Sequence, residues 1–535
     1  MLNFLPALLI VLMIVLVLAL PRTRFPIGTV WLFLALFTLL NWAVLIFLRF
    51  HLPAIMQIGN WFPVALSNDP IELGITKLNW PVLFGLAAVL CASVLSGSSF
   101  IQEPRVIFRW IEELVFLLVG MISMLAQSLL AFLLAWALID LMEIILFASE
   151  NQGRSVSLQT ITILISRVVS LGLLISAMAL GYQDGQAVQI SALTGFPLTL
   201  VILAAAFRLG VFPLRLPYTQ SLAKKRITTS VFHYLPALST FVLLSQIPGP
   251  EQLNTVLSFV LLFAILSVLF GAMNWVTGKN EEAAEPYWLV TFSGLAFVAY
   301  FRGQPAAVIT LALLMIVIGG WISLEKPASQ KFDFWVPVAF LTFTGIPFTP
   351  GANALVGLTG SPWKAANPLL WLAIFALTLG LLRFSLIRSK ETAHREGWMR
   401  LFATFGMGIL LLTPWLDWVI SLDTSRVLAA WFPALVINVL LAAWVSVHYL
   451  FKVDFASLLS PYAKLLERAD QWGRRTDRFL HFEWLYRFLG SIYSLAGRIM
   501  NWFNTLMEEQ GGVLWAIVFF ALLLSLLLSR GVVNG

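Results

Sequence analysis

One cysteine in 535 residues, Cys91, excludes a disulfide within the chain and any multi-cysteine metal or iron–sulfur site. It falls in an apolar stretch, where packing is the plain role and a reactive thiol the sharper one. Histidine is almost as scarce: five scattered residues argue against a metal or haem centre. No glycine-rich phosphate loop is present, since Gly357 to Lys364 has the wrong spacing for one. No cofactor is therefore expected in this chain, and any redox chemistry would belong to a partner. The N-terminus has neither a basic leader nor a small-residue cleavage pattern, so residues 2–20 are expected to remain as a first helix. Charge is the last shortage, at 11% of residues.

With 60% hydrophobic residues and a mean hydropathy of +0.91, that shortage describes a polytopic membrane protein. The net charge of +7 does not point to nucleic acid, because the basic residues lie between apolar spans. Segments long enough to cross a bilayer number about sixteen. They fall near 2–20, 26–48, 80–98, 109–127, 128–148, 158–181, 191–212, 228–247, 253–275, 286–302, 305–324, 334–357, 368–388, 398–420, 426–450 and 513–530. Placing the N-terminus outside puts about 24 basic residues on the inner side against about 6 on the outer. A multi-pass protein of the cell inner (cytoplasmic) membrane, with both termini outside, is the expectation.

Two apolar spans are interrupted. In PLTLVILAAAFRLGVFPLRLPYTQSL, residues 197–222, Arg208 sits within the apolar run, and Pro213 and Pro217 deny donors to the helix soon after. The second break surrounds Gly345, Pro347, Pro350 and Gly351. An unmade backbone hydrogen bond is costly in hydrocarbon, so a break persists only where protein or water covers it. Paired breaks at corresponding places in two halves point to a transport pathway. The stretch 453–510 differs in kind: apolar residues at helical spacing alternate with Lys464, Arg468, Arg474, Arg475, Arg478 and Arg487. It reads as an amphipathic lateral helix, lying on lipid headgroups or strapped along neighbouring subunits.

These residues carry a resemblance. Gly59-Asn60-Trp61 with Gly74-Ile75, the stretch AQSLLAFLLAWALIDLMEIIL at 126–146, the spacing from Arg208 through a proline break to His233, Gly294 with Gly303-Gln304-Pro305, Gly345-Ile346-Pro347, and His481 to Tyr486 supply it. Together they resemble the antiporter-like membrane subunits of respiratory complex I, the multisubunit Na⁺/H⁺ antiporters and the membrane-bound hydrogenases. The resemblance covers most of the chain through short motifs. It implies an all-α polytopic membrane protein with two inverted five-helix repeats, at 109–247 and 253–388. Around these lie N-terminal helices and an outer loop (1–108), additional helices (398–450), the lateral helix (453–510) and a final span (513–530).

The departures bear on function. The family's fifth-helix glutamate falls here on Ala137, and its seventh-helix lysine on Arg208. Its eleventh-helix histidines and lysine fall on Leu314, Ile318 and Ile322, and the lysine after the second break on Leu355. Relays need groups that gain and lose protons. Aliphatic side chains cannot do so, and arginine stays charged where a buried lysine can titrate. The remaining ion-path candidates are Asp140, Glu143, Arg208 and His233.

Asp140, three residues after Ala137 and so expected on its face, and Glu143 one turn on could each pair with Arg208. The pair would be either a permanent packing contact or a titrating site biased by a fixed charge. His233 titrates near neutrality when free, or is a satisfied helix histidine. Arg167 and Arg383 are expected to snorkel towards a boundary. Lys224-Lys225-Arg226 is expected to be a cytoplasmic topology anchor, or else a contact for an acidic partner.

Three functions compete on this reading. The first is a non-catalytic subunit of a complex-I-like or cation/proton antiporter-like assembly, with a degenerate proton path and a mainly structural role; a proton-translocating NADH:quinone oxidoreductase-like complex is one such parent. Other membrane subunits and the lipid bilayer are then its partners. The second is an independent secondary transporter using a broken-helix site. The third is an enzyme acting on lipid-linked substrates, for which the longest outer loop, 49–79, offers only Asp69 and Glu72.

Overall fold

A computed structural model describes residues 4–20, 25–58, 70–101, 106–150, 158–181, 189–214, 227–250, 252–278, 281–323, 335–359, 364–386, 397–421 and 430–451, with scattered residues after 490. The chain divides into two compact units, Met1–Gly473 and Arg474–Gly535. The lateral helix expected at 453–510, the final span, Gly59-Asn60-Trp61, Pro217, the 224–226 basic cluster and His481 to Tyr486 lie outside the described residues.

The described residues of the first unit are mostly helical. Sixteen α-helices occur among the described residues: α1 (Leu5–Ala19), α2 (Ile27–Leu48), α3 (Trp80–Ser96), α4 (Val106–Met124), α5 (Leu129–Glu150), α6 (Leu158–Gly181), α7 (Gly195–Leu209), α8 (Ile227–Gln246), α9 (Thr255–Thr277), α10 (Glu281–Phe301), α11 (Pro305–Ser323), α12 (Trp335–Phe343), α13 (Pro350–Gly357), α14 (Asn367–Leu386), α15 (Gly397–Ile420) and α16 (Trp431–Phe451). Six of these segments are long and apolar enough to cross a membrane, and several shorter ones are equally apolar. Helices dominate because hydrocarbon offers no partner to a free peptide group, and a helix satisfies its own.

All seventeen residues of α3 are buried, which makes it the centre of the packing. Neighbouring helices reach it through small residues and tryptophan donors. A Cβ on Gly406 of α15 would lie 3.1 Å from Ala92 Cα, so the two backbones meet closely there. Trp31 Nε1 of α2 donates to the Val94 carbonyl at 2.8 Å, and Trp80 Nε1 donates to the Leu45 carbonyl at 2.7 Å. Indole N–H groups buried among aliphatic side chains need such acceptors.

The all-helical expectation meets one exception. In the connection between α2 and α3, Ala54–Ile58 (β1) and Ile71–Ile75 (β2) pair as an antiparallel ribbon, with Ala54 opposite Ile75 and Ile58 opposite Ile71. The connection between α4 and α5 extends it: Gly74 N–H donates to Leu125 O at 2.7 Å and Gln127 N–H to Glu72 O at 2.9 Å. Asn79 ties these pieces together, donating from Nδ2 to the carbonyls of Gly74 and Met124. Gly74 is required here because a Cβ would sit 2.7 Å from the Ala54 carbonyl oxygen.

Candidate functional site

The site begins where α7 stops. The last carbonyls of a helix have no intrahelical donor, and in an apolar interior each needs another. Gly210 takes a left-handed conformation (φ 68°), which turns the chain back so that the N–H groups of Gly210, Val211 and Phe212 all reach Ala206 O or Phe207 O. Pro213 lies in this turn, beyond the helix. The Arg208 carbonyl is served differently: it accepts a hydrogen bond from Arg167 Nη1 of α6 at 2.9 Å.

Arg167 and Arg208 anchor a buried cluster of four charges. Arg208 grips Asp140 of α5 with two parallel bonds, Nη2 to Oδ1 at 2.7 Å and Nη1 to Oδ2 at 3.0 Å. Arg167 grips Glu143 in the same way, with Nε and Nη2 each 3.2 Å from one carboxylate oxygen. A longer contact of 3.8 Å joins Arg167 Nε to Asp140 Oδ1 and links the two pairs. Two positive and two negative groups make the cluster formally neutral. Arg167 is 2% and Arg208 1% exposed. Arg208 also stacks its guanidinium 4.5 Å from the centre of the Trp136 ring. Both guanidiniums lie at the carbonyl end of α7, where the helix dipole favours positive charge.

Two readings of the sequence need correction. Arg167 does not snorkel: it is buried and bonded, because α6 turns its Ser166, Arg167 and Ser170 side inward, all three at most 2% exposed. Polar residues packed that densely within one apolar helix were the signal that could have revealed it. Ala137 does not share the face of Asp140. Phe132, Trp136, Ile139, Asp140 and Glu143 form the inward stripe of α5, whereas Ala137 is exposed. At about 100° per residue, position 137 falls off that stripe, so the inward carboxylate position on α5 is filled by Asp140.

His233 is buried on α8 beside Tyr234. In the second half, Pro347 lies in the turn between α12 and α13, where Gly345 (φ 66°) and Phe348 (φ 69°) are both left-handed. The turn folds α13 back against α12: a Cβ on Gly351 would lie 2.8 Å from the Thr342 carbonyl oxygen. Asn438 of α16 donates to the freed Thr344 carbonyl at 3.2 Å. Beside this turn is a cavity of about 30 Å³. Leu314, Ile318 and Leu355 line it together with Phe292, Leu295 and Phe343, and among the described lining residues only Thr344 and Thr378 carry polar side chains. Among the described residues, no group of three or more histidine, cysteine or acidic side chains is placed to hold a metal ion.

No family model and no curated protein matches the sequence. The fold does match solved structures. A chain of respiratory complex I from Thermus thermophilus superposes with a TM-score of 0.55 at 15% identity, covering 82% of this chain and 100% of that one. A chain of the membrane-bound sulfane sulfur reductase, an archaeal respiratory membrane complex, gives 0.59 at 13% identity, with 98% and 99% covered. A chain of the Mrp complex from Dietzia sp. gives 0.59 at 12% identity, covering 92% of this chain and 63% of that one. The chain thus has the fold found in subunits of these three membrane complexes.

Proposed function

We propose that this fold serves a divergent antiporter-like subunit, related to those of complex I, the Mrp-type antiporters and the membrane-bound hydrogenases. It works within a multisubunit assembly of the cytoplasmic membrane, with its proton path attenuated and its role mainly structural. Helices α4 to α8 and α9 to α14 form two inverted five-helix units, each interrupted in its fourth segment. Both termini face outward.

The observation that carries the reading is the double arginine clamp. A carboxylate that passes protons must at times release its cation partner. Here each carboxylate of α5 is held by two charge-assisted bonds from a planar guanidinium, whose fork matches the carboxylate geometry. In the second five-helix unit the support is the cavity of about 30 Å³ beside Gly345, whose polar lining residues, Thr344 and Thr378, already donate their hydroxyls to backbone carbonyls. So apolar a lining disfavours a continuous file of water, and with it proton conduction. Fold likeness to subunits of three multisubunit complexes supports the assembly context.

Proton flux in liposomes carrying the intact assembly tests this. Asp140→Asn, Glu143→Gln and His233→Phe are each expected to leave coupling unchanged wherever the assembly forms normally. A large loss of pumping in any properly assembled variant would place that residue on a working path and overturn the proposal.

A further inference from the structure

A broken helix ordinarily draws water into an apolar interior, because its ends leave peptide groups without helical partners. Between α12 and α13 the protein serves those groups itself. The Thr344 carbonyl accepts from Asn438 Nδ2 of α16 at 3.2 Å, and the Thr344 N–H donates to Phe340 O at 3.1 Å. Past the turn, Thr349 donates twice to Ile346 O, from its N–H at 3.1 Å and its hydroxyl at 2.7 Å. The hydroxyls of the cavity wall are committed too. Thr344 Oγ1 donates to Leu341 O at 3.3 Å, and Thr378 Oγ1 lies 3.0 and 2.8 Å from the carbonyl oxygens of Ile374 and Phe375.

The rest of the wall is hydrocarbon, with Phe292 of α10, Leu314 of α11, Leu355 of α13 and Leu377 of α14 as its four sides. Among the described lining residues none is charged, and all are buried except Ile374 of α14, which is half-buried. Leu369 and Leu372, on the same helix, are exposed. In a multi-pass membrane protein such an apolar surface faces lipid, so the way in past Ile374 leads from hydrocarbon.

The occupant follows from these walls. A buried water needs two to four polar partners, and the two threonines, their hydrogens already donated, could only accept. An ion would find no opposite charge. Cavities lined by leucine, isoleucine and phenylalanine stay dry and take apolar guests, which gain dispersion contacts with a wall that otherwise faces a void. The size is suited to a molecule of few atoms: about 10–15 Å³ admits one water-sized sphere, and this cavity measures about 30 Å³.

We propose that the cavity enclosed by α10, α11, α13 and α14 is a binding site for one small apolar molecule, which reaches it from the lipid past Ile374. A guest there packs beside the left-handed turn at Gly345, since Leu355 forms part of the wall and also meets that turn: a Cβ on Gly345 would lie 2.9 Å from Leu355 Cδ2. The inference shares with the proposed function the reading of this cavity as dry, and it needs no parent assembly.

Xenon is the probe. Crystals of the full chain grown in a lipid mesophase and pressurised with the gas should show an anomalous peak beside Leu314 and Leu355. Ala354→Leu, which adds carbons to the buried wall, should abolish that peak and leave peaks on the lipid-facing surface unchanged. Should Ala354→Leu fail to fold, Leu377→Ala enlarges the cavity and is expected to raise xenon occupancy several-fold. A peak that persists in folded Ala354→Leu, or an occupancy unmoved by Leu377→Ala, overturns the proposal. So does the lack of a peak in well-ordered wild-type crystals. Ordered water in the cavity would sink both this site and the dry-cavity support for the proposed function, whereas a cavity holding neither xenon nor water would sink this site alone.

Discussion

Removing the Arg208 guanidinium would leave the Asp140 carboxylate inside the bilayer with only the 3.8 Å contact to Arg167. An uncompensated buried charge of this kind costs about 3–5 kcal/mol, whereas exchanging both partners for apolar residues is often neutral or favourable. Arg208→Leu should therefore lower unfolding stability by about that amount, and Asp140→Leu with Arg208→Leu should regain most of it. Denaturation in detergent would measure both; equal loss in the single and double variants would mean that the pairing contributes nothing. At this scale the sequence was partly readable. Asp140, Glu143 and Arg208 stand out because charge within an apolar run needs a reason. The partner of Glu143 was not readable, because Arg167 is 24 residues away on another helix, and only the packing of α6 against α7 turns it inward. The same limit applied to Ala137, whose exposure depends on which stripe of an almost uniformly apolar α5 the neighbouring helices cover.

Between elements, close approach is set by small residues. In α9 and α10 it is reciprocal: a Cβ on Gly271 would lie 2.6 Å from the Tyr287 carbonyl oxygen, and one on Gly294 would lie 2.5 Å from that of Ala264. Backbone atoms cannot swing aside as a flexible side chain can. Gly294→Val is expected to push the helices apart at a cost of about 1–3 kcal/mol, with Gly28→Val, which has open space around it, near neutral. Thermal unfolding of the two variants in the same detergent distinguishes them, and equal stability would show that the close crossing is dispensable. The positions of the helices were legible in the hydrophobic runs, as were the prolines of the two interruptions. The β1–β2 ribbon was not, since Ala54–Ile58 and Ile71–Ile75 are held as a strand pair with the α4–α5 turn lying along β2.

For the whole molecule, the distribution of basic residues predicts an orientation that labelling can read. Cys91 is fully buried in α3 and should stay silent towards maleimides, which leaves a usable background. Gln57→Cys, in the β1–β2 ribbon, should react with an impermeant maleimide added to intact cells. Gly28→Cys and Gly397→Cys, both exposed and free of neighbouring atoms at the Cβ position, should react only after permeabilisation. The opposite pattern would invert the proposed topology.

Composition and periodicity determined the membrane class, the segments that become helices and the shortage of titratable groups, because the bilayer imposes its demands on each segment separately. Which polar groups meet is another matter. The two arginine clamps, the closing of α7 by a guanidinium from α6, and the pressing of the Tyr234 ring against Gly319 of α11 were decided only by tertiary structure. A helix that is apolar on every side carries no mark of which face it will bury, so the partners of its few polar residues are chosen by the packing of the whole bundle.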